Sequence, residues 1–417
     1  MSDKQSSDTK PSPANLRMVS NERGAVLALV ALLLVVFLGL AALAIDLGLL
    51  YVARGEAQRA ADAAAHAGAG HLMLNSGDEE GARDRAVQLA GRNSIRGQLT
   101  EIRRDEDIDV MLDEYKVRAR VHRTDVWGGP IRTLFAGVLG FDNVNVTASA
   151  AAQSFPAGGA ECVLPIAIPD RWCEEGSEGD CTAYPEATDS FDPDDGDFYV
   201  PWIRNPEAHP DDWVHNPPGR YTGYSDENRG DTITIRPPTQ GGQESERWHP
   251  GWWNTFVYED EDGRGNPPMV ERILGCRGGN DRVTQVGQRL NVAPGARQGP
   301  IPGAFNTLVN DPELGDPDAH WNKDANDGRG CVTTKGEDEC RGSVRLRPIV
   351  TFNPELGPKN PSNVFHAQNL AGIFIEDVVG SGNNLRIIAI FVEYTGVLPL
   401  GAGIDSGTLN RTLRIVE

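Results

Sequence analysis

The residues best equipped for chemistry lie in the second half of the chain. His209 and His215 flank Asp211, Asp212 and Trp213, a combination that can ligate a metal, although its Pro-rich setting suits solvated loop residues better. Asp192, Asp194, Asp195 and Asp197 surround Gly196, Glu259 to Asp262 form a second acidic run, and Asn322, Asp324, Asn326 and Asp327 a third. Oxygen ligands at such short spacing suit Ca2+, the one cofactor these loops could take. None follows the pattern D-x-[DN]-x-[DN]-G, so turns solvated by Asp and Asn are the simpler expectation. The pairs Trp248-His249 and Trp252-Trp253, with Trp202, Trp213 and Trp321, could line a groove for sugar or peptide, or anchor loops and core. No phosphate loop G-x-x-x-x-G-K-[ST], dinucleotide fingerprint G-x-G-x-x-G, zinc helix H-E-x-x-H or nucleophile elbow G-x-S-x-G occurs. No catalytic, cofactor or metal site is therefore assigned, and the chain reads as a non-enzyme.

Six cysteines, Cys162, Cys173, Cys181, Cys276, Cys331 and Cys340, all lie beyond residue 160. An even count confined to one region fits disulfides in an oxidising compartment. Fifteen pairings exist; Cys173 with Cys181, Cys331 with Cys340 and Cys162 with Cys276 are favoured because neighbours close loops easily. Zinc competes poorly, since no C-x2-C pair is present.

The elements that must position these residues begin with the compartment. Ala25 to Ile45 reads AVLALVALLLVVFLGLAALAI, uncharged throughout, and as a helix would be about 31 Å long, enough to span a bilayer. Lys4, Lys10, Arg17 and Arg23 precede it, which places the N-terminus in the cytoplasm and everything after Asp46 outside. Two processing routes compete with an uncleaved anchor. Ala42-Leu43-Ala44 has the small-x-small form of a signal-peptidase site, and Gly24 follows a basic leader as in prepilins. The apolar run is longer than a signal core, and cleavage after Gly24 would put Leu29 where pilins carry Glu, so the anchor is preferred.

Helix-forming residues continue from Asp46 nearly to Leu74. Ala53, Ala57, Ala61, Ala65 and Ala69 recur every fourth residue, beside a second row of Ala60, Ala64 and Gly68. Such a row lets two surfaces approach closely. Two occupants are open, a partner helix and, as the favoured reading, the chain's own sheet.

Arg23-Gly24-Ala25, the apolar run, Ala44-Ile45-Asp46-Leu47-Gly48, Leu50-Tyr51, Ala53-Arg54, Gln58 and Ala60-Ala61-Asp62-Ala63-Ala64-Ala65 together resemble the TadG-like N-terminal segment. That family comprises membrane-anchored proteins of the bacterial tight-adherence (Tad/Flp) pilus machinery. The likeness covers about residues 20 to 70 and extends more weakly through Phe135-Ala136, Leu139-Gly140-Phe141 and Val146-Thr147-Ala148. It implies a bacterial inner-membrane protein with partners among minor pilins, the inner-membrane platform and the secretin. Some larger relatives carry a von Willebrand A-type domain with a D-x-S-x-S metal motif; this chain has none, so that adhesion mechanism is not carried over.

Residues 79 to 97 suit a polar helix. Ile108 to Leu112 and Tyr115 to Val121 alternate at period two around Asp113-Glu114, which predicts a hairpin. Pro130 opens a short helix through Leu139, and Val144, Val146, Ala148 and Ala150 form a closing strand. Phe155-Pro156-Ala157-Gly158-Gly159 reads as a linker. Beyond it, strands are expected at Thr232 to Arg236, Val344 to Phe352, Gly372 to Val379, Leu385 to Tyr394 and Thr412 to Val416.

The class is therefore α+β. A cytoplasmic tail (1–24) leads to a transmembrane helix (25–45). A pilin-like α+β stalk domain (46–155) follows, its long helix packed on a small antiparallel sheet, and then a separate, loop-rich, mainly β exported domain (160–417) in which disulfides are expected. A net charge of −21 argues against nucleic acid as a partner, because phosphate contacts need a basic face. The lipid bilayer is a partner wherever the apolar helix spans it. The function expected is a membrane-anchored, non-enzymatic accessory of pilus assembly. The alternative is an anchored envelope hydrolase or carbohydrate-binding protein with a Trp- and Asp-lined site in the second domain.

Overall fold

The computed structural model describes residues 22–75, 77–174, 190–201, 221–237, 248–259, 267–275, 282–293, 300–326, 328–357, 364–399 and 409–416. Most of the tail, Trp202, Trp213, His209, His215, Asp211, Asp212, Cys181, Cys276, Asp260, Glu261, Asp262 and Asp327 lie outside them.

The apolar run and the alanine rows form one unbroken helix of 53 residues, α1 (Glu22–Leu74). It stops where Asn75 and Gly77 (φ 81°) turn the chain, and Asp78 then caps α2 (Glu79–Ala90) by accepting from the Gly81 N–H. The polar helix is thus shorter than the 79–97 expected. Past Ala90 the chain turns into a two-residue hairpin, Ser94–Ile95 against Gln98–Leu99, around Gly97 (φ 78°). Strands β1 (Ile108–Met111) and β2 (Lys116–Arg123) form the expected hairpin, with Ile108 opposite Ala119. Along β2 every second residue is buried, so Val117, Ala119 and Val121 face one side.

The helix read from Pro130 to Leu139 is mostly absent. Ile131–Arg132 pairs with Asn143–Val144, and only Ala136–Leu139 makes a single 3-10 turn, closed by Gly140 at φ 90°. The linker reading also fails. Phe155 to Gly159 lie inside β3 (Val146–Ala160), a 15-residue strand whose C-terminal half is buried. Backbone partners explain this: β12 (Asn410–Ile415) pairs antiparallel along it, and Thr284–Gln285 and Val397–Pro399 pair with its last residues. The resulting sheet runs β12-β3-β2-β1, with Tyr394–Thr395 beyond β12.

The rest is mainly β. Strands β4 (Ile166–Pro169), β5 (Thr232–Ile235), β6 (Asn254–Val257), β7 (Arg289–Val292), β8 (Leu346–Phe352), β9 (Val364–His366), β10 (Asn369–Val379) and β11 (Arg386–Val392) form one sheet in the order β9-β7-β6-β4-β8-β10-β11-β5. Its pairs are antiparallel except β4 with β8, where Val350 lies opposite Ala167. Both faces are covered, which is why β8 and β10 read as nearly continuous apolar runs. On one face Ile168, Ile349, Ile373 and Ile387 pack with Met269, Ile273, Ile301, Phe305 and Leu308 of two helices, α3 (Pro267–Leu274) and α4 (Pro300–Asn310). On the other, Phe256, Leu290, Val350, Phe352, Phe365 and Leu370 form a second core. The two helices escape a reading by pattern because their prolines lie in the first turn, where a missing N–H costs nothing, and so resemble loop punctuation.

The chain divides into two compact units, Met1–Glu56 with His122–Thr147, and Ala57–Val121 with Ala148–Glu417. The division does not fall at residues 155–160. Most of the stalk sheet belongs with the β domain, because β12, from the end of the chain, completes it.

Candidate functional site

Chemistry of the catalytic kind finds little support among the described side chains. Trp172, Trp252 and Trp253 are buried, and Trp248 packs edge-on against Phe352 at 4.9 Å between ring centres. Trp321 lies half-buried against the small cluster of Val332 and Phe374. Of the tryptophans named as groove candidates, Trp252 and Trp253 are core residues and Trp248 and Trp321 pack half-buried against their neighbours. Among the described residues no three His, Cys, Asp or Glu side chains converge as a metal site requires. In the 192–197 turn, Asp192 accepts from the Asp194 N–H and Asp197 from the Asp192 N–H, at 3.1 and 2.8 Å. In the third acidic loop, Asn322 Oδ1 accepts from the Asp324 and Ala325 N–H groups. Both are side-chain-stabilised turns.

One carboxylate, Asp170, is fully buried. Burial pushes its carboxyl above the ordinary range, against the pull of four donors. Those are the Tyr221 and Tyr199 hydroxyls at 2.6 and 2.8 Å and the Arg171 and Tyr224 N–H groups at 3.1 Å. Gly223 is needed here, since a Cβ would meet Tyr221 and Asp170 within 2.3 Å. With Asn369 donating to the Tyr221 hydroxyl, the group ties four chain segments together. With its carboxylate fully buried, it works as a clamp. An open cleft of about 560 Å3 is lined by Gly315, Asp316, Ser343, Arg347 and Tyr394 among others. Its acid, Asp316, is already engaged: burial raises its pKa, but the paired hydrogen bonds from Arg341 (2.8 and 2.9 Å) and one from Ser343 (2.7 Å) hold it below the usual range.

The stalk is where sequence and structure converge. Residues 26–45 of α1 have almost no cover, with Val35, Phe37 and Leu38 exposed all round the helix, as a lipid-facing span requires. The alanine rows behave in the opposite way. Ala53, Ala57, Ala60, Ala61, Ala64, Ala65 and Ala69 have no exposed surface, and Gly68 is buried. Their occupant is the chain itself. A Cβ on Gly68 would lie 2.8 Å from Val117 Cγ1 of β2 and 3.2 Å from the Ala82 carbonyl of α2, and one on Gly70 would lie 3.3 Å from Leu413 of β12. Gln58 donates to the Ser149 carbonyl of β3 at 3.0 Å, pinning the helix on the sheet. Of the two occupants expected, the chain's own sheet lies against this row, in place of a partner helix. Small side chains serve a close helix-to-sheet approach inside one chain as well as one between chains, and periodicity cannot tell the two apart.

Two junctions fix α1, and neither was foreseen. In the first unit Asp46, next after the apolar run, is 2% exposed and accepts from the Leu134, Phe135 and Ala136 N–H groups at 2.8, 2.9 and 2.5 Å. Burial raises its pKa, but the three donors outweigh that and hold it below the ordinary value. In the second unit the end of α1 is locked to the β domain. Arg229 donates to the carbonyls of Leu74, Arg329 and Gly330 and pairs with Glu393 at 3.2 Å. Arg329 pairs with Asp78 at 3.1 Å, His71 shares a 2.7 Å hydrogen bond with the same carboxylate, and Asn326 donates to Asn75. The only sequence signal was the isolated acid at the close of an apolar run.

Cys331 and Cys340 are joined by a disulfide across Cα atoms 5.7 Å apart, and Cys162 and Cys173 each take part in a disulfide.

Residues 24–71, which are α1 almost end to end, match the family described as putative Flp pilus-assembly TadE/G-like. No curated protein and no solved structure matches the chain.

Proposed function

We propose that the protein is a single-pass, inner-membrane accessory of Tad/Flp-type pilus assembly, with its N-terminus in the cytoplasm and its β domain in the periplasm. The observation that carries this is the coincidence of the matched segment with α1, a helix bare over its apolar half and embedded in its own domain over the rest. Lys4, Lys10, Arg17 and Arg23 before the span support the orientation. Confinement of all cysteines to the region beyond residue 160, with a disulfide at Cys331–Cys340, supports an oxidising compartment for the β domain.

In this reading the protein performs no catalytic step. Because the alanine rows are occupied internally, minor pilins, the platform or the secretin meet the surface of the β domain and not the helix seam. The lock at Leu74, Asp78, Arg229 and Arg329 ties that surface to the C-terminal end of α1. Deletion of the gene in its native host, with complementation by the full chain, tests this. Loss of surface pilin that only the anchored, full-length protein restores supports the proposal; normal piliation in the deletion strain contradicts it.

A further inference from the structure

The loop from 134 to 141 reads LFAGVLGF, eight residues without a charge. Four of its large side chains do not turn inward. Leu134 is 66% exposed, Phe135 44%, Val138 90% and Phe141 65%. A water-soluble surface rarely carries so dense an apolar patch without something to cover it. The loop's position is not arbitrary either. Three of its first backbone N–H groups are held by the Asp46 carboxylate, and Asp46 is the first residue after the apolar span.

Simple lengths then locate it. The span of 21 residues matches the roughly 30 Å hydrocarbon core, and the polar layer on each side is about 5–7 Å thick. A segment hydrogen-bonded to the residue that leaves the core lies within that layer. One and a half turns further along α1, Tyr51 is 82% exposed, an aromatic at the depth where membrane proteins concentrate Tyr and Trp.

We infer that the 134–141 loop is a membrane foot, seating Leu134, Phe135, Val138 and Phe141 in the interfacial layer of the leaflet from which α1 emerges. The occupant of the patch is lipid, because the patch continues the lipid-facing surface of the span and is tied to it by Asp46. The chain then holds the bilayer at two adjoining places, a helix through it and a loop upon it. Rotation and tilt of α1 are restrained as a result, since interfacial anchors set both. The inference rests on the reading of α1 as a membrane span.

Site-directed spin labelling of the full chain in vesicles of phosphatidylcholine and phosphatidylglycerol separates the two claims. Labels are placed, one at a time and without reductant, at Val138→Cys, at Val35→Cys within the span, and at Lys335→Cys, an exposed charged position. Collision with oxygen, which partitions into lipid, is compared with collision with a water-soluble nickel chelate. The expected result is an oxygen-to-nickel ratio at 138 severalfold above that at 335, approaching the ratio at 35. A ratio at 138 equal to that at 335, with 35 still in lipid, overturns the foot and leaves the anchor. A water-like ratio at 35 overturns the anchor and the foot with it. Because Val138 is almost fully exposed, the label itself displaces nothing in the fold.

Discussion

Two glycines in the same helix should respond oppositely to the same substitution. Gly55→Ala and Gly68→Ala each remove the backbone freedom of glycine from a helix interior, worth about 1 kcal/mol in favour of the folded state. At Gly55 nothing lies within 4 Å of the new methyl, so the gain stands alone. At Gly68 the methyl would sit 2.8 Å from Val117 Cγ1 and 3.2 Å from the Ala82 carbonyl oxygen. The first neighbour is a β-branched side chain with little rotamer freedom, and the second is backbone, so neither yields cheaply. Overpacking of this kind costs about 1–3 kcal/mol, which leaves Gly68→Ala destabilising by roughly 0–2 kcal/mol. The two variants should thus differ by about 1–3 kcal/mol in urea unfolding of the full chain in detergent, followed by tryptophan fluorescence. If Gly68→Ala stabilises as much as Gly55→Ala, the alanine rows are not packed on the chain's own sheet, and the partner-seam reading returns.

Further outcomes follow from the clamps. Asp78→Ala removes a helix cap and the partner of His71 and Arg329, and should cost about 1–2 kcal/mol in the same unfolding assay. Burial raises the Asp78 pKa, but its hydrogen bonds and Arg329 bring it below the usual value. Its stabilisation is therefore present above about pH 4 and lost as pH falls below that, a dependence that Asp78→Asn should flatten. Asp170→Asn puts an amide donor where two tyrosine hydroxyls already donate, so unfolding should show a loss of about 1–3 kcal/mol; an unchanged midpoint would show that the buried acid is not the acceptor described. Replacing Cys331 and Cys340 together by serine opens a loop with a sequence separation of 9. The chain-entropy cost is about 2–3 kcal/mol, read as a lower urea midpoint than that of the unsubstituted protein without reductant.

The long helix and the strongest strands were legible because each carries its own periodicity. The apolar run gave the span, the alternation around Asp113-Glu114 gave the first hairpin, and the β-branched runs near 350, 375 and 390 gave the strands of the large sheet. What failed depended on distant partners. Phe155-Pro156-Ala157-Gly158-Gly159 has the composition of a linker, and pairing with distant segments at 284–285, 397–399 and 410–415 makes it a buried strand. The alanine rows looked the same for an internal sheet as for a foreign helix. Asp46 looked like the edge of a span, whereas its use is set by N–H groups almost ninety positions away. Tryptophan and aspartate clusters drew attention as chemistry because neither burial nor turn hydrogen bonding can be seen in a string of letters.

The central claim is a single-pass anchor whose β domain lies beyond the membrane. Intact mass of the natively expressed protein in the membrane fraction, with a C-terminal tag exposed to protease in spheroplasts, tests it most directly. The account expects full-length, membrane-bound protein with an accessible tag. A mature chain beginning at Ala25 or Ile45 would replace the anchor with pilin-like incorporation or secretion, and a protected tag would contradict the topology outright.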